Sequence, residues 1–375
     1  MIYFVCFSYE PNTATYNRML AYWQNLDKMK IPVKLVFFVP SPNRSKIAYP
    51  FSTVEVEYCW DKYYINNRYF KYLSFLLYQY RFLKKLKAGD KVCIFGLEKI
   101  SKKVLEKDGV ELFLESTECP EVYKSLSWNN PTVPEYIDYC RKATALFVIS
   151  STLKDYYVSK GVDEAKIFIL NMTVDTERFQ NLHKRPSKDK YIAYCGNVSN
   201  SKDGVDKLIK SFAIVVKRHP EIKLYLIGDK PSGNESSGNY RLIEELGIKS
   251  NVVFTGRVLA ADMPQILKNA ELLTLARPDN KQAKYGFPTK LGEYLMTENP
   301  VVVTSVGDIP KFLKDGVSAL IASPDDDNEF AEKIIWALDH PVESREIGMR
   351  GKEVALQSFN AAIETKKLLD VVLHN

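Results

Sequence analysis

Short apolar runs recur along the chain, each followed by a longer stretch in which polar and apolar residues mix. In the first half they fall at 2–7, 33–39, 54–58, 91–95, 110–114, 145–149 and 167–170. They are rich in Val, Ile and Phe and too short for helices, so they predict buried strands; 54–58 alternates and reads as an edge. A second series follows at 191–194, 223–227, 251–254, 272–275, 301–304 and 319–321. The segments between carry helical spacing or loop residues, and strands alternating with helices predict an α/β chain with parallel sheets covered on both faces. Residues 171–190 are polar, with Lys184, Arg185 and Pro186, and break the two series apart. The expected organisation is a first domain over 1–172, a linker over 173–189 and a second domain over 190–358. Residues 359–375 are expected to form a helix that packs back on the first domain.

Length agrees with two domains, since 375 residues exceed one comfortable core. Hydrophobic residues make up 46% and charged residues 26%, the balance of a soluble globular protein. The net charge of +6 is mild and dispersed, which argues against nucleic acid as a partner. Six scattered cysteines without a Cys-x-x-Cys pair suggest neither disulfides nor zinc, and fit a reducing cytoplasm. The apolar start lacks a basic flank and runs into Glu10, which reads as a first strand rather than a signal peptide. No run is long and apolar enough to span a bilayer.

Residues 60–87 stand apart. Seven Lys or Arg (Lys62, Arg68, Lys71, Arg81, Lys84, Lys85, Lys87) face one acid, Asp61, with ten aromatic residues interleaved from Trp60 to Phe82. Such a basic, aromatic, amphipathic helix suits peripheral contact with an anionic membrane. A core helix with a solvated basic face fits the same pattern.

The stretch Tyr285 to Tyr294 (YGFPTKLGEY) lies between the runs 272–276 and 300–304. Gly286 loosens the backbone, Pro288 suits a first helical position, and 291–296 is helical in pattern. A helix start above parallel strand ends favours anions, phosphate above all. Glu293, about one turn in, suits a sugar or ribose hydroxyl; an ordinary surface carboxylate fits the spacing as well. A similar arrangement occurs at Tyr194-Cys195-Gly196-Asn197, where Gly196 lets the backbone approach a ligand and Lys202 supplies a compact charge.

With 175–179, 226–229 and 254–258, these stretches form an ordered series that resembles the retaining glycosyltransferases of family four. The resemblance is clear over about residues 190–325 and thinner before them, where Asn12-Thr13 and 115–118 look familiar. It implies the GT-B fold: two Rossmann-like doubly wound domains facing across a cleft. It also implies a nucleotide-diphosphate sugar on the second domain, a glycan or lipid-linked acceptor on the first, and no metal or other cofactor. Residue by residue, Glu293 matches the ribose-holding Glu, and Thr289, Lys290 and Leu291 match the helix entrance at the diphosphate. Lys202 matches the phosphate-binding Lys, Val258 borders the base, and Gly286 and Phe287 approach the donor sugar. Two positions depart from the family: Tyr285 stands where its first Glu falls, and Asn197 where an Arg usually partners the Lys. Arg277, with Lys284 behind it, is the candidate replacement cation.

Catalysis is expected from Lys202 and Arg277, which offset charge on the leaving diphosphate, and from Glu118, which orients or deprotonates the acceptor hydroxyl. Glu115 and Glu118 are expected just beyond the strand 110–114, bordering the acceptor with Asn12 and Thr13; helix capping fits the two carboxylates too. Asp325-Asp326-Asp327 reads as a helix cap rather than a metal site. The expected function is retaining sugar transfer in cell-surface polysaccharide biosynthesis, in the cytoplasm or at the inner face of the membrane. A sugar-nucleotide epimerase and a catalytically silent nucleotide-sugar-binding subunit remain as alternatives.

Overall fold

A computed structural model describes residues 1–7, 14–38, 49–58, 68–122, 130–198, 200–228 and 234–374; the side chains of 14, 68–71 and 234–237 lie outside that description. The chain divides into two units, one formed by Met1–Asn171 with Ala361–Asn375, the other by Met172–Asn360. Residues 173–189, read above as a linker, lie in the second unit.

Among the described residues, the first unit carries seven strands: β1 (Ile2–Cys6), β2 (Val33–Phe37), β3 (Val54–Tyr58), β4 (Lys91–Phe95), β5 (Glu111–Ser116), β6 (Ala145–Val148) and β7 (Ile167–Ile169). They form one parallel sheet in the order β3-β2-β1-β4-β5-β6-β7. The chain winds outward from β1 to β3, then returns to place β4 on the other flank of β1. In such sheets ligands sit at the carboxyl ends of the strands where the winding reverses, here β1 and β4. Phe4, Phe37, Phe113, Phe147 and the helix residue Trp23 fill one core. Leu368, Leu369 and Val372 of the helix Ala361–His374 join that core, each worth about 1.5–3 kcal/mol of burial. Asp27, late in the helix Ala14–Lys28, fastens that helix to the start of β3 by accepting from the backbone N–H groups of Ser52, Thr53 and Val54 at 2.8, 2.6 and 3.2 Å.

The helix Arg68–Lys85 lies inside the basic, aromatic stretch. Phe75, Tyr78 and Phe82 pack around Phe38, which makes one side of the helix part of the fold. Leu73, Leu77 and Tyr80 are 53%, 50% and 62% exposed, at helical spacing, beside exposed Arg81 and Lys84. Of the two readings of this segment, the described part combines a packed face with an exposed apolar stripe.

The second unit, among its described residues, holds β8 (Tyr191–Cys195), β9 (Lys223–Ile227), β10 (Val252–Gly256), β11 (Leu272–Leu275), β12 (Val301–Thr304) and β13 (Leu320–Ala322). These form a second parallel sheet, β10-β9-β8-β11-β12-β13. Here the winding reverses between β8 and β11. β11 and β12 are buried at every position, as a strand covered on both faces requires. Asp326 caps the helix Asp327–Asp339, accepting from Asn328 and Glu329 N–H at 3.0 and 2.9 Å.

Two local expectations change. β5 extends through Ser116, so Glu115 lies within the strand and not beyond it, because its polar side chain finds a buried partner. The helix after Pro288 begins at Lys290, with Thr289 as its cap, and a separate short helix, Lys281–Tyr285, precedes it. Asn280 caps the start of that short helix through a 2.9 Å bond from Ala283 N–H, and extended Gly286 ends it at the Gly-Phe-Pro turn.

Candidate functional site

At the carboxyl ends of β8 and β11, four side chains from distant parts of the sequence meet. Asp203 closes the short helix Asn200–Asp203 and is 4% exposed. Lys290 donates to its Oδ2 at 2.6 Å, and the Tyr194 hydroxyl lies 2.8 Å from the same oxygen. That hydroxyl also accepts from Lys290 at 3.0 Å and lies 2.6 Å from the carbonyl of Asn197. The Lys290 ammonium sits 4.5 Å from the centre of the Tyr194 ring, a cation–π contact. Arg277, 2% exposed just past β11, brings Nε to 3.9 Å from Asp203 Oδ1.

Two glycines make the convergence possible. Gly196 has φ +144°, and a Cβ there would strike the Lys290 ammonium and stand 3.1 Å from the Tyr194 hydroxyl. Gly204 has φ +64°, and a Cβ there would run into the Ala276 carbonyl beside Arg277. Burial alone would raise the Asp203 pKa; Lys290 first, then Arg277, and the hydrogen bonds overcome it and hold the carboxyl below its ordinary value. Burial drives the Tyr194 hydroxyl the other way, well above the usual phenol range. The result is one ionised carboxylate holding two cations at the reversal point of the sheet.

The remaining second-unit residues fall around this knot unevenly. Lys202 is exposed, one residue before Asp203, and Asn197 is exposed beside Gly196. Glu293 lies in the first turn of the helix Lys290–Met296 and accepts from Arg178 Nη1 at 2.7 Å. Arg178 also donates to the Ala260 carbonyl at 2.8 Å, two residues past half-buried Val258. Gly286 is buried, and Phe287 packs its ring against Phe312 and Phe359, so only its backbone remains to approach a ligand. Leu291 is fully buried and Thr289 half-buried. Tyr285, where the family has a Glu, ends the short helix with Lys284 5.8 Å over its ring. The helix Lys290–Met296 has only seven residues, so its dipole is small and the positive character of the region comes mainly from side chains.

In the first unit, Glu115 is 4% exposed and bonded at 2.7 Å to Nε of Arg18, which is equally buried. Arg18 also donates to the carbonyls of Leu170 and Asn171 at 2.9 and 2.6 Å. Glu115 is thus an internal counter-ion, not a surface group facing an acceptor. Glu118 is half-buried beyond β5, where its carbonyl accepts from Ser116 at 3.0 Å. Asn12 and Thr13 lie outside the described residues.

Sequence reasoning passed over Asp203, Tyr194 and Arg178, although Tyr194 and Arg178 stood inside the quoted motifs and Asp203 beside Lys202. It also passed over Glu98, half-buried after β4, whose pKa burial raises to about 8. Among the described residues no cluster of His, Cys, Asp or Glu is arranged to hold a metal, and no helix is long and apolar enough to cross a membrane.

The two parallel, Rossmann-like sheets define the class: this is the GT-B fold. The model of the family Glycosyl transferases group 1 matches residues 189–340 of the chain. Over 190 residues the chain is 25% identical to mannosylfructose-phosphate synthase of Agrobacterium fabrum, covering 49% of this chain and 40% of that protein. It is 26% identical over 251 residues to the MMP alpha-(1->4)-mannosyltransferase of Mycolicibacterium hassiacum, covering 64% of this chain and 58% of that one. The matches thus span about half the length of these curated relatives. Among solved structures, Anabaena Alr3699/HepE in complex with UDP is similar with a TM-score of 0.75 at 15% identity, covering 100% of both chains, a likeness of fold.

Proposed function

We propose that this protein moves a sugar from a nucleotide-diphosphate sugar to a hydroxyl of a glycan or lipid-linked acceptor. In this reading the anomeric configuration is retained and the product belongs to cell-surface polysaccharide assembly. The observation that carries the reading is the Asp203–Tyr194–Lys290–Arg277 knot at the β8/β11 reversal, inside the stretch that the group 1 model matches. Breaking the sugar–diphosphate bond leaves negative charge on the departing oxygen. Cations already fixed in place stabilise that charge without reorganising, usually the largest single contribution to such catalysis. Asp203 fixes Lys290, and Arg277 beside it takes the place left by Asn197; exposed Lys202 adds a third charge at the rim. Glu293, shared with Arg178, suits the ribose hydroxyls. The two mannosyl-named relatives support sugar transfer, and the UDP in the Anabaena complex supports a nucleotide sugar as donor.

The helix Arg68–Lys85 supplies the membrane part of the proposal. Leu73, Leu77 and Tyr80 offer an apolar stripe, and Arg81 and Lys84 flank it with positive charge, the composition that settles on anionic lipid from the cytoplasmic side.

Melting the purified protein against UDP, GDP, ADP and their sugar conjugates tests the donor reading. One nucleotide at about 100 times its Kd stabilises the native state by about 2.7 kcal/mol, and Lys202→Ala weakens that binding by about 1.5–3 kcal/mol. No shift with any nucleotide at millimolar concentration would refute it. Nucleotide release only with an acceptor marks transfer. Sugar interconversion without release marks an epimerase, and binding without turnover marks a silent subunit.

A further inference from the structure

We infer that Glu98 is the acceptor-recognising carboxylate of the first unit, accepting a hydrogen bond from the hydroxyl of an incoming sugar or polyol. The inference rests on the transfer reading above and adds the second substrate to it.

Position is the first argument. The first sheet reverses its winding between β1 and β4, and Glu98 is the third residue after β4. The turn that carries it is fastened at three points. Gly96 N–H donates to the Glu115 carbonyl at 3.0 Å, Asn130 donates to the Leu97 carbonyl at 2.5 Å, and Ser101 N–H donates to the Glu98 carbonyl at 3.1 Å. The backbone that carries Glu98 is thereby fixed at the carboxyl end of the sheet.

The second argument is what surrounds the carboxylate. Burial alone perturbs it, and no charged group among the described residues acts on it from the elements packed nearby. Lys99, at the cap of the next helix, and Lys102 within it act on Glu135. Nor does Glu98 serve that helix as a cap: Lys99 occupies the cap, without a side-chain bond. Two other carboxylates at or past this end of β5 are engaged, Glu115 by Arg18 and Glu121 by Lys160 and Tyr156. Burial favours the neutral acid in the free protein, and the ionised carboxylate finds no donor among the described residues, so a ligand hydroxyl donating to it favours the ionised form. That selects a neutral, hydroxylated ligand over an anionic one.

Glu98→Gln in the full chain tests this, with p-nitrophenyl glycosides of glucose, galactose, mannose and N-acetylglucosamine as acceptor probes. The donor is whichever nucleotide sugar shifts the melting temperature. Nucleotide release should show the KM for the probe rising at least tenfold in the variant, with the nucleotide-induced melting shift unchanged. For the wild type, kcat/KM for the probe should climb with pH with a midpoint at about 8 and level off above it, and Glu98→Gln should flatten that profile. The variant itself should melt no lower than the wild type near neutral pH, because an isosteric neutral amide replaces a carboxyl that burial keeps mainly neutral there. Equal acceptor KM and equal pH profiles would overturn the inference, as would a lower melting temperature with acceptor KM unchanged, which marks a structural role. Absence of any nucleotide-induced shift in the wild type would instead overturn the donor reading on which it stands.

Discussion

Asp203→Asn removes the charge at the centre of the second-unit knot while keeping its shape. In the wild type that carboxylate faces Lys290 at 2.6 Å and Arg277 at 3.9 Å, with Tyr194 on the same oxygen as Lys290. Taking one partner from a buried ion pair costs about 3–5 kcal/mol. Lys290 retains 16% exposure and Asn still accepts from Tyr194, so about 2–3 kcal/mol is expected here. At the entropy of a unit this size, that lowers its melting temperature by about 5–10 °C. Calorimetry of the variant beside Lys290→Met and the double variant measures it, and the double should lose less than the sum of the singles. The carboxyl is held below its ordinary pKa, so its contribution is present at neutral pH and lost as pH falls through its folded value. The gap between wild type and variant should therefore close below about pH 4. A nucleoside diphosphate should narrow the gap at neutral pH, because its phosphates replace the missing countercharge. Additive single variants, each within about 0.5 kcal/mol of the wild type, would refute the reasoning.

Glu115→Gln should destabilise the first unit by about 3–5 kcal/mol in urea titration, since it leaves the Arg18 guanidinium buried without its counter-ion. Arg18→Met with Glu115→Leu should recover part of that loss but not all, because the Leu170 and Asn171 carbonyls lose their donor. Leu73→Ser, Leu77→Ser and Lys84→Glu together should abolish sedimentation with phosphatidylserine vesicles and leave the melting temperature unchanged. Undiminished sedimentation would remove the membrane role from this helix.

The architecture was legible because both sheets are parallel and covered on both faces. Such strands must be apolar nearly throughout, and all thirteen described strands stand where an apolar run predicted one. Side-chain partnerships were not legible. Glu115 looked like a strand-end carboxylate available to a ligand, yet its partner Arg18 lies 97 residues earlier, a distance no local pattern reports. Asp203 sits in an ordinary Lys-Asp-Gly turn, and only the fold brings Lys290 to it across 87 residues. Gly196 was legible as a point of close approach, but what approaches is the Lys290 ammonium rather than a ligand alone. Glu98 escaped because a single acid after a strand resembles any polar turn; its burial is a property of neighbours that sequence spacing does not name.

The helix Ala361–His374 completes the core of the first unit although it is synthesised after the whole second unit. Until it arrives, the apolar surface around Trp23 and Tyr22 that Leu368, Leu369 and Val372 will cover stays open to water. The whole second unit is made in the meantime, about 10–40 s of translation. The first unit, begun earlier, therefore closes its core only after the second unit has been made, and its uncovered apolar surface is what a chaperone would bind in the interval.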